Sequence, residues 1–291
     1  MKKNIFIFIL AGGLLTGCSN DNYNSEEILA KERLIIVDVT DNPIIDESSQ
    51  APVMDITRAA AYTTTETLSS FSMNYTDGYK YDFSKTGGTW STYSWPNSID
   101  ADEKIDFYAY TGGTFFYSAA DPYVSFSVEE NVASQHDLLV ATHKNVSYDD
   151  AGGHVSLSFS HACAIVQFNV QISNTLHGKS GDLTVNSIEL KNVNKSGQCH
   201  YKNDSWDWEN IGTSANFTLT NNNSTTVTTT LQPLSCGYLF MIPQTLGADA
   251  KLVITYSSGT KTAEIPLKDT HWEKGKLYTI NVKLGTTLIQ S

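Results

Sequence analysis

Seven histidines, four cysteines and an excess of carboxylates are the groups in this 291-residue chain that could carry chemistry. His161 and Cys163 stand two apart, which places both side chains on one face of a regular strand. Zinc is usually held by four ligands, and no close partner completes the set. His136-Asp137 could supply a base with its orienting acid, yet no G-x-S-x-G nucleophile motif accompanies it. Asp149-Asp150 ahead of Gly152-Gly153 could hold calcium, but the EF-hand spacing is missing. Asp204, Asp207 and Glu209 around two tryptophans invite the same reading and meet the same objection. No P-loop or dinucleotide fingerprint occurs. The expectation is a protein that is not an enzyme, with no cofactor and no metal.

Cysteine and tryptophan offer other chemistry. Cys163 sits inside an apolar run and reads as a buried thiol, with His161 half-exposed beside it. Cys199 and Cys236 could form a disulfide in an oxidising compartment, and the spacing does not decide it. Trp206 and Trp208, on one strand, would face the same way among polar residues and could stack on sugar rings. Trp90 and Trp95 are expected to pack in a core.

A formal charge of −12 argues against a nucleic-acid partner, which needs a basic footprint. Hydrophobic content of 40% supports a sizeable core, while charged content is only 17%. Plentiful Thr, Ser, Asn, Tyr and Gly alongside so few charges fit an extracellular β protein.

The elements that must position these groups centre on Val155 to Ile172, VSLSFSHACAIVQFNVQI. Val155, Leu157 and Phe159 share one face; after His161 the alternation slips by one, to Ala164, Val166, Phe168, Val170 and Ile172. Such a slip turns later side chains to the other face. Unbroken, the run would measure roughly 60 Å at ~3.3 Å per residue, against a usual ~20 Å. It should therefore bulge or bend near Ser160 to Cys163, or pass from one sheet to another. Short β-prone runs separated by Gly, Pro, Asn and Ser fill the chain on either side, and no helical periodicity is sustained. Pro243 and Pro266 should lie at strand ends or edges. The fold class is all-β, with a boundary between two sandwich domains expected in Ser173 to Gly181, or else before the long strand.

The N-terminus carries an address. Lys2 and Lys3 precede an apolar core from Ile5 to Leu15 that is too short to span a bilayer, which reads as a signal peptide. Leu15-Thr16-Gly17-Cys18 resembles the lipobox of bacterial lipoproteins, implying cleavage before Cys18 and its lipidation. Acyl chains anchor through ~0.8 kcal/mol per buried methylene, without a spanning helix. Ser19 and Asn20-Asp21 resemble outer-membrane and surface-export signals.

Between Cys18 and the body lies a leader containing one β-prone run, Leu34 to Val39 (LIIVDV). The chain has two arginines, Arg33 and Arg58, and they bracket that run; the body uses lysine alone. An arginine-specific protease would cut on either side of the strand and spare the rest.

Several stretches then resemble the fimbrillin family, the lipoprotein pilins and related surface proteins of Bacteroides-type bacteria. They are Thr57-Arg58-Ala59, Trp95-Pro96, Ile105 to Tyr110 and Asp137 to Ala141. Leu157 to Ala162 with Val166-Gln167-Phe168, Ile188 to Val193, Phe240 to Gln244 and Trp272 to Tyr278 complete the set in family order. The resemblance implies two transthyretin-like β-sandwich domains after a lipoprotein leader. The expected division is residues 1–17 signal peptide, 18–58 lipidated leader with a removable strand, and 59–175 and 176–291 the two domains. It implies a surface-exposed outer-membrane location, held by the lipid on Cys18, in a fimbrium. It also implies cleavage at Arg58, with Arg33 the lesser candidate because a cut there leaves the strand attached. Partner pilin subunits, self or related, would then complement the opened groove with a β-strand. The role could be shaft, tip or anchor, with a host or bacterial surface ligand. The tail Gly285 to Ser291 is a poor donor strand, so Leu277 to Leu284 would have to leave its own domain to donate. The alternative is an outer-membrane lipoprotein that binds carbohydrate and never polymerises.

Overall fold

The computed structural model describes residues 33–41, 45–46, 68–75, 79–220, 225–234, 236–257 and 261–285; Cys18 and Arg58 lie outside the described residues. Chain order opens with β1 (Leu34–Asp41) and β2 (Ile45–Asp46). A hairpin of β3 (Ser70–Tyr75) and β4 (Lys80–Thr86) follows, then the short pieces β5 (Thr89–Trp90) and β6 (Tyr93–Ser94). Next come β7 (Ile105–Tyr110), β8 (Thr114–Phe116), β9 (Tyr123–Ser127) and β10 (Leu139–Val146). One helical turn, α1 (Tyr148–Ala151), leads into β11 (His154–His161) and β12 (Ala164–Ile172), and α2 (Asn174–Ser180) leads out. The hairpin β13 (Leu183–Lys202) and β14 (Ser205–Thr220) precedes β15 (Thr226–Val227), β16 (Gln232–Pro233), β17 (Leu239–Met241) and β18 (Gln244–Thr245). The described chain ends with β19 (Lys251–Tyr256), β20 (Lys261–Pro266), β21 (His271–Trp272) and β22 (Lys276–Leu284).

The protein is all-β, built from layered sheets. One has eight strands in the order β5-β4-β3-β7-β10-β11-β1-β6. A second runs β16-β12-β22-β2, with β17 also on β12. A third runs β20-β19-β13-β9-β8, with β14 and β15 also on β13. Buried side chains form two clusters, one drawn from Ile35 to Phe159 and one that joins Tyr108, Tyr110, Val124, Phe126, Val128, Leu138 and Val140 to most buried residues from Ala162 onward. Strand β7 serves both. Phe107 and Ala109 point to the first cluster and Tyr108 and Tyr110 to the second, which is why IDFYAY is apolar on both faces.

The slip after His161 is the passage between sheets. β11 belongs to the eight-stranded sheet and β12 to the second, with Ala162 and Cys163 between them. Buried backbone polar groups need partners, and all four at this crossing have one. Ala162 N–H donates to the Leu138 carbonyl at 2.8 Å, and Gly275 N–H donates to the Cys163 carbonyl at 2.8 Å. Cys163 N–H donates to Asp137 Oδ1 at 3.1 Å, and Trp208 Nε1–H donates to the Ala162 carbonyl at 2.6 Å. Along this run the chain passes from one cluster to the other at His161/Ala162, although residues between Tyr108 and Val140 already belong to the second. The expected 173–181 boundary holds α2 instead, whose Leu176 is buried in the second cluster together with β12.

The long hairpin departs most from the expected strands. Only Leu183 to Val193 and Phe217 to Leu219 are expected from pattern, whereas β13 has 20 residues and β14 has 16. One edge of β13 takes β19 along Val185–Lys191 and then β9 along Ser196–His200, so a single strand ties two segments together. The turn is Asn203-Asp204 with φ of 51° and 60°. Asn and Asp tolerate that left-handed geometry, which matches the twist of a hairpin. Bulges between Leu190 and Val193 and between Ser196 and Gln198 break the ladder, which hides the alternation from the sequence. Pro266 ends the edge strand β20, and Pro243 lies between β17 and β18, as their missing N–H demands.

Candidate functional site

Strand β1 sits inside a sheet whose neighbours come from far along the chain. It runs parallel to β11, with Ile36 beside His154 through to Asp41 beside Phe159. On its other side β6 pairs antiparallel, Leu34 with Ser94 and Ile35 with Tyr93. Alternation decides which side chains it commits. Ile35 is fully buried and Val37 nearly so, while Ile36, Asp38 and Thr40 face outward. The seat beneath them belongs to the cluster of Val155, Leu157, Phe159, Trp95 and Ile99. Burial of two such side chains contributes ~1.5–3 kcal/mol each. On the outer face His154 Nδ1 lies 2.8 Å from Asp38 Oδ2.

The entrance to the seat is shaped by Gly153. Its carbonyl accepts the Ile36 N–H at 2.8 Å. Its φ is +84°, and a Cβ there would come within 2.1 Å of the Leu34 carbonyl oxygen. Only glycine allows β1 so close. Upstream, the Arg33 carbonyl accepts the Trp95 N–H at 2.5 Å, and Arg33 Nη2 donates to the Ile99 carbonyl at 3.4 Å. The guanidinium carbon lies 5.7 Å from the centre of the Tyr148 ring. Arg33 is thus half-buried and tied at both backbone and side chain. Further on, β2 pairs parallel with β22, Ile45 beside Lys276 and Asp46 beside Leu277, so the N-terminal segment reaches a second sheet.

The remaining candidate residues are scattered. Cys163, Cys199 and Cys236 are all free thiols, so the bridge considered between Cys199 and Cys236 does not form. Cys199 pairs opposite Trp208, near the turn end of the hairpin. Cys236 shares a cleft with Thr218–Thr220 at the other end, roughly 30 Å along the ladder at ~3.3 Å per residue. A bridge needs Cα atoms within ~7 Å. Burial pushes the Cys199 thiol up to about 12, and burial likewise raises Cys163 and Cys236. None is poised as a thiolate.

Trp206 and Trp208 do lie on one strand and face one way, Trp206 into the core and Trp208 into the wall of a cleft. Trp206 is buried, its Nε1–H donating to Thr142 Oγ1 at 2.9 Å, with Tyr108 edge-on at 6.3 Å. It offers no face to a sugar. Trp208 is half-buried and spends its N–H on the strand crossing. Trp95 is in the core, and Trp90 packs edge-on against Phe71 at 5.0 Å.

His161 is buried rather than half-exposed, because Asp137 faces it: Nδ1 lies 2.5 Å from Asp137 Oδ2. Asp137, with no nucleophile beside it in sequence, is a structural clamp that holds His161 and the Cys163 N–H together. Asp204, Asp207 and Glu209 each face a lysine, Lys144 at 3.8 Å, Lys274 at 2.6 Å and Lys202 at 2.9 Å. Asp150 faces Lys104 at 3.8 Å. Among the described residues, no group of three or more His, Cys, Asp or Glu could hold a metal ion. No helix among them is long and apolar enough to cross a membrane.

Comparison with known proteins gives a consistent result. A family model described as fimbrillin-like matches residues 53–291. A fimbrial protein from Bacteroides vulgatus is 19% identical, with 88% of this chain and 96% of that one covered at a TM-score of 0.52. A proposed cell adhesion protein from Bacteroides ovatus is 12% identical, with 88% and 94% covered at 0.55. Another, from Bacteroides uniformis, is 13% identical, with 76% and 88% covered at 0.50. At these identities the structures speak for the β-sandwich fold. None of the curated proteins matches the chain.

Proposed function

Because the chain belongs to the fimbrillin-like family, we propose that it is a structural or adhesive pilus subunit whose β1 is a removable plug. The observation that carries this reading is the seat of β1 between β11 and β6, with Ile35 and Val37 in the core. Withdrawing β1 leaves the edge of β11 unpaired over an apolar trough, the form of site that an incoming strand fills by β-augmentation. A subunit of the same or a related kind supplies that strand. This chain's own β22 is paired with β12 from Ile165–Leu277 to Ile172–Leu284 and would have to leave that sheet to serve as a donor.

Cleavage falls after Arg58. A protease must pull several residues on each side of the scissile bond into extended form, and those following Arg33 are locked in the β1 ladder. The Arg33 carbonyl is itself hydrogen-bonded to Trp95. A cut after Arg58 releases both β1 and β2. The lipid on Cys18 holds the precursor to the outer membrane.

Single substitutions test this. Arg58→Ala should abolish β1 release by an arginine-specific protease and prevent detergent-resistant ladders, while Arg33→Ala should leave both intact. The reverse pattern would sink the assignment. Cys18→Ala should free the protein from the membrane fraction.

A further inference from the structure

A second concave surface lies away from the β1 seat, between β14 and the β18–β21 ribbon. Its volume is about 550 Å³, within the ~300–1,000 Å³ typical of small-ligand sites. Trp208, Ile211, Pro243 and Trp272 give it an apolar wall.

Two features of that wall point to a ligand. The Trp208 ring is fixed in place: its N–H is tied to the Ala162 carbonyl at 2.6 Å, and it lies so close to Gly197 that a Cβ there would come within 3.0 Å. A locked aromatic loses little entropy on contact. Trp272 is 1% exposed, yet its Nε1–H has no hydrogen-bond partner among the described residues. That nitrogen is buried in the wall, so an acceptor pairs with it only where the ligand displaces its cover.

The rim decides the class of ligand. Asp207 pairs with Lys274 at 2.6 Å, and Glu273 lies 3.8 Å from His271 and 3.9 Å from Lys276. Acid and base alternate, so no field of one sign is available to attract a polyanion or polycation. An uncharged ligand with an apolar face and a fringe of hydroxyls fits both wall and rim. We infer that this cleft takes a neutral glycan, a pyranose ring lying against Trp208 with its hydroxyls on the charged rim. No cleft residue lies on β1; Lys276 on the rim is beside Ile45 of β2, so the uncleaved chain is the form to titrate.

The test is calorimetric titration of the uncleaved chain with neutral oligosaccharides built from hexose, N-acetylhexosamine and fucose, with heparin as the polyanion. At least one neutral oligosaccharide should bind, at least tenfold more weakly to Trp208→Ala. Trp208 also supports the strand crossing, so Ile211→Glu, which places a charge on the wall, provides a second variant. It should lose binding while keeping the parent Tm within a few degrees. Absence of neutral binding at millimolar concentration, binding unchanged in Ile211→Glu, or binding of heparin alone would overturn the inference.

Discussion

Val37 on β1 and Val155 on β11 stand side by side in a parallel ladder, with both side chains buried in the same core. The strand that carries Val37 thus completes a sheet whose next strand, β11, comes from more than a hundred residues later. Among the described strands β1 also joins β6 to that sheet, so it holds a late strand and an early one together.

The side chains of β1 should matter as core residues do. Ile35 is fully buried, so Ile35→Ala should cost about 2–4 kcal/mol. Thermal unfolding should show a lower Tm, and limited proteolysis should cut within Leu34–Asp41. A change within ~0.5 kcal/mol would mean that β1 is not seated as described.

Gly153→Ala tests the approach of the backbone rather than the apolar contact. The added Cβ meets the Leu34 carbonyl and the φ is +84°, so β1 must shift. Hydrogen exchange should accelerate at the Ile36 amide, which bonds the Gly153 carbonyl, while amides of β12 and β22 keep their protection.

At the strand crossing, Trp208→Phe keeps an aromatic side chain but removes the donor to the Ala162 carbonyl. Leaving that acceptor unpaired should cost roughly 1–3 kcal/mol, read by denaturant unfolding. Asp137→Ala removes the acceptor of the Cys163 N–H and the partner of His161, and should cost at least as much.

Acid should weaken one rim contact in a defined direction. The Lys274 hydrogen bond holds the Asp207 carboxyl below its ordinary value of 3.8. A depressed folded-state pKa contributes stability that is present above the unfolded value and lost as pH falls through the folded one. The Tm gap between parent and Asp207→Asn should therefore narrow as pH drops below 3.8. Asp207 is largely exposed, so the gap is small at every pH.

What the sequence discloses follows from where the constraint is local. The β-branched run LIIVDV marks β1, and the slip after His161 marks the passage between sheets, because each is local in sequence. The length of β14 is not visible in the same way. Its bulges, with positive φ at Asn210 and Thr213, break the period that would have shown it. The Asn203-Asp204 turn was the available signal. Trp206 could not be read correctly from its polar neighbours, since Tyr108 and Thr142, which bury it, arrive from distant strands. The same holds for Asp137, whose role depends on a crossing that only the assembled sheets create.

The most direct measurement is to digest the purified chain with an arginine-specific protease and determine, by mass spectrometry and unheated electrophoresis, where the β1 peptide goes. The account predicts ladders of cleaved subunits from which residues 34–41 are missing. Cleaved protein that stays monomeric with residues 34–41 still bound would contradict it.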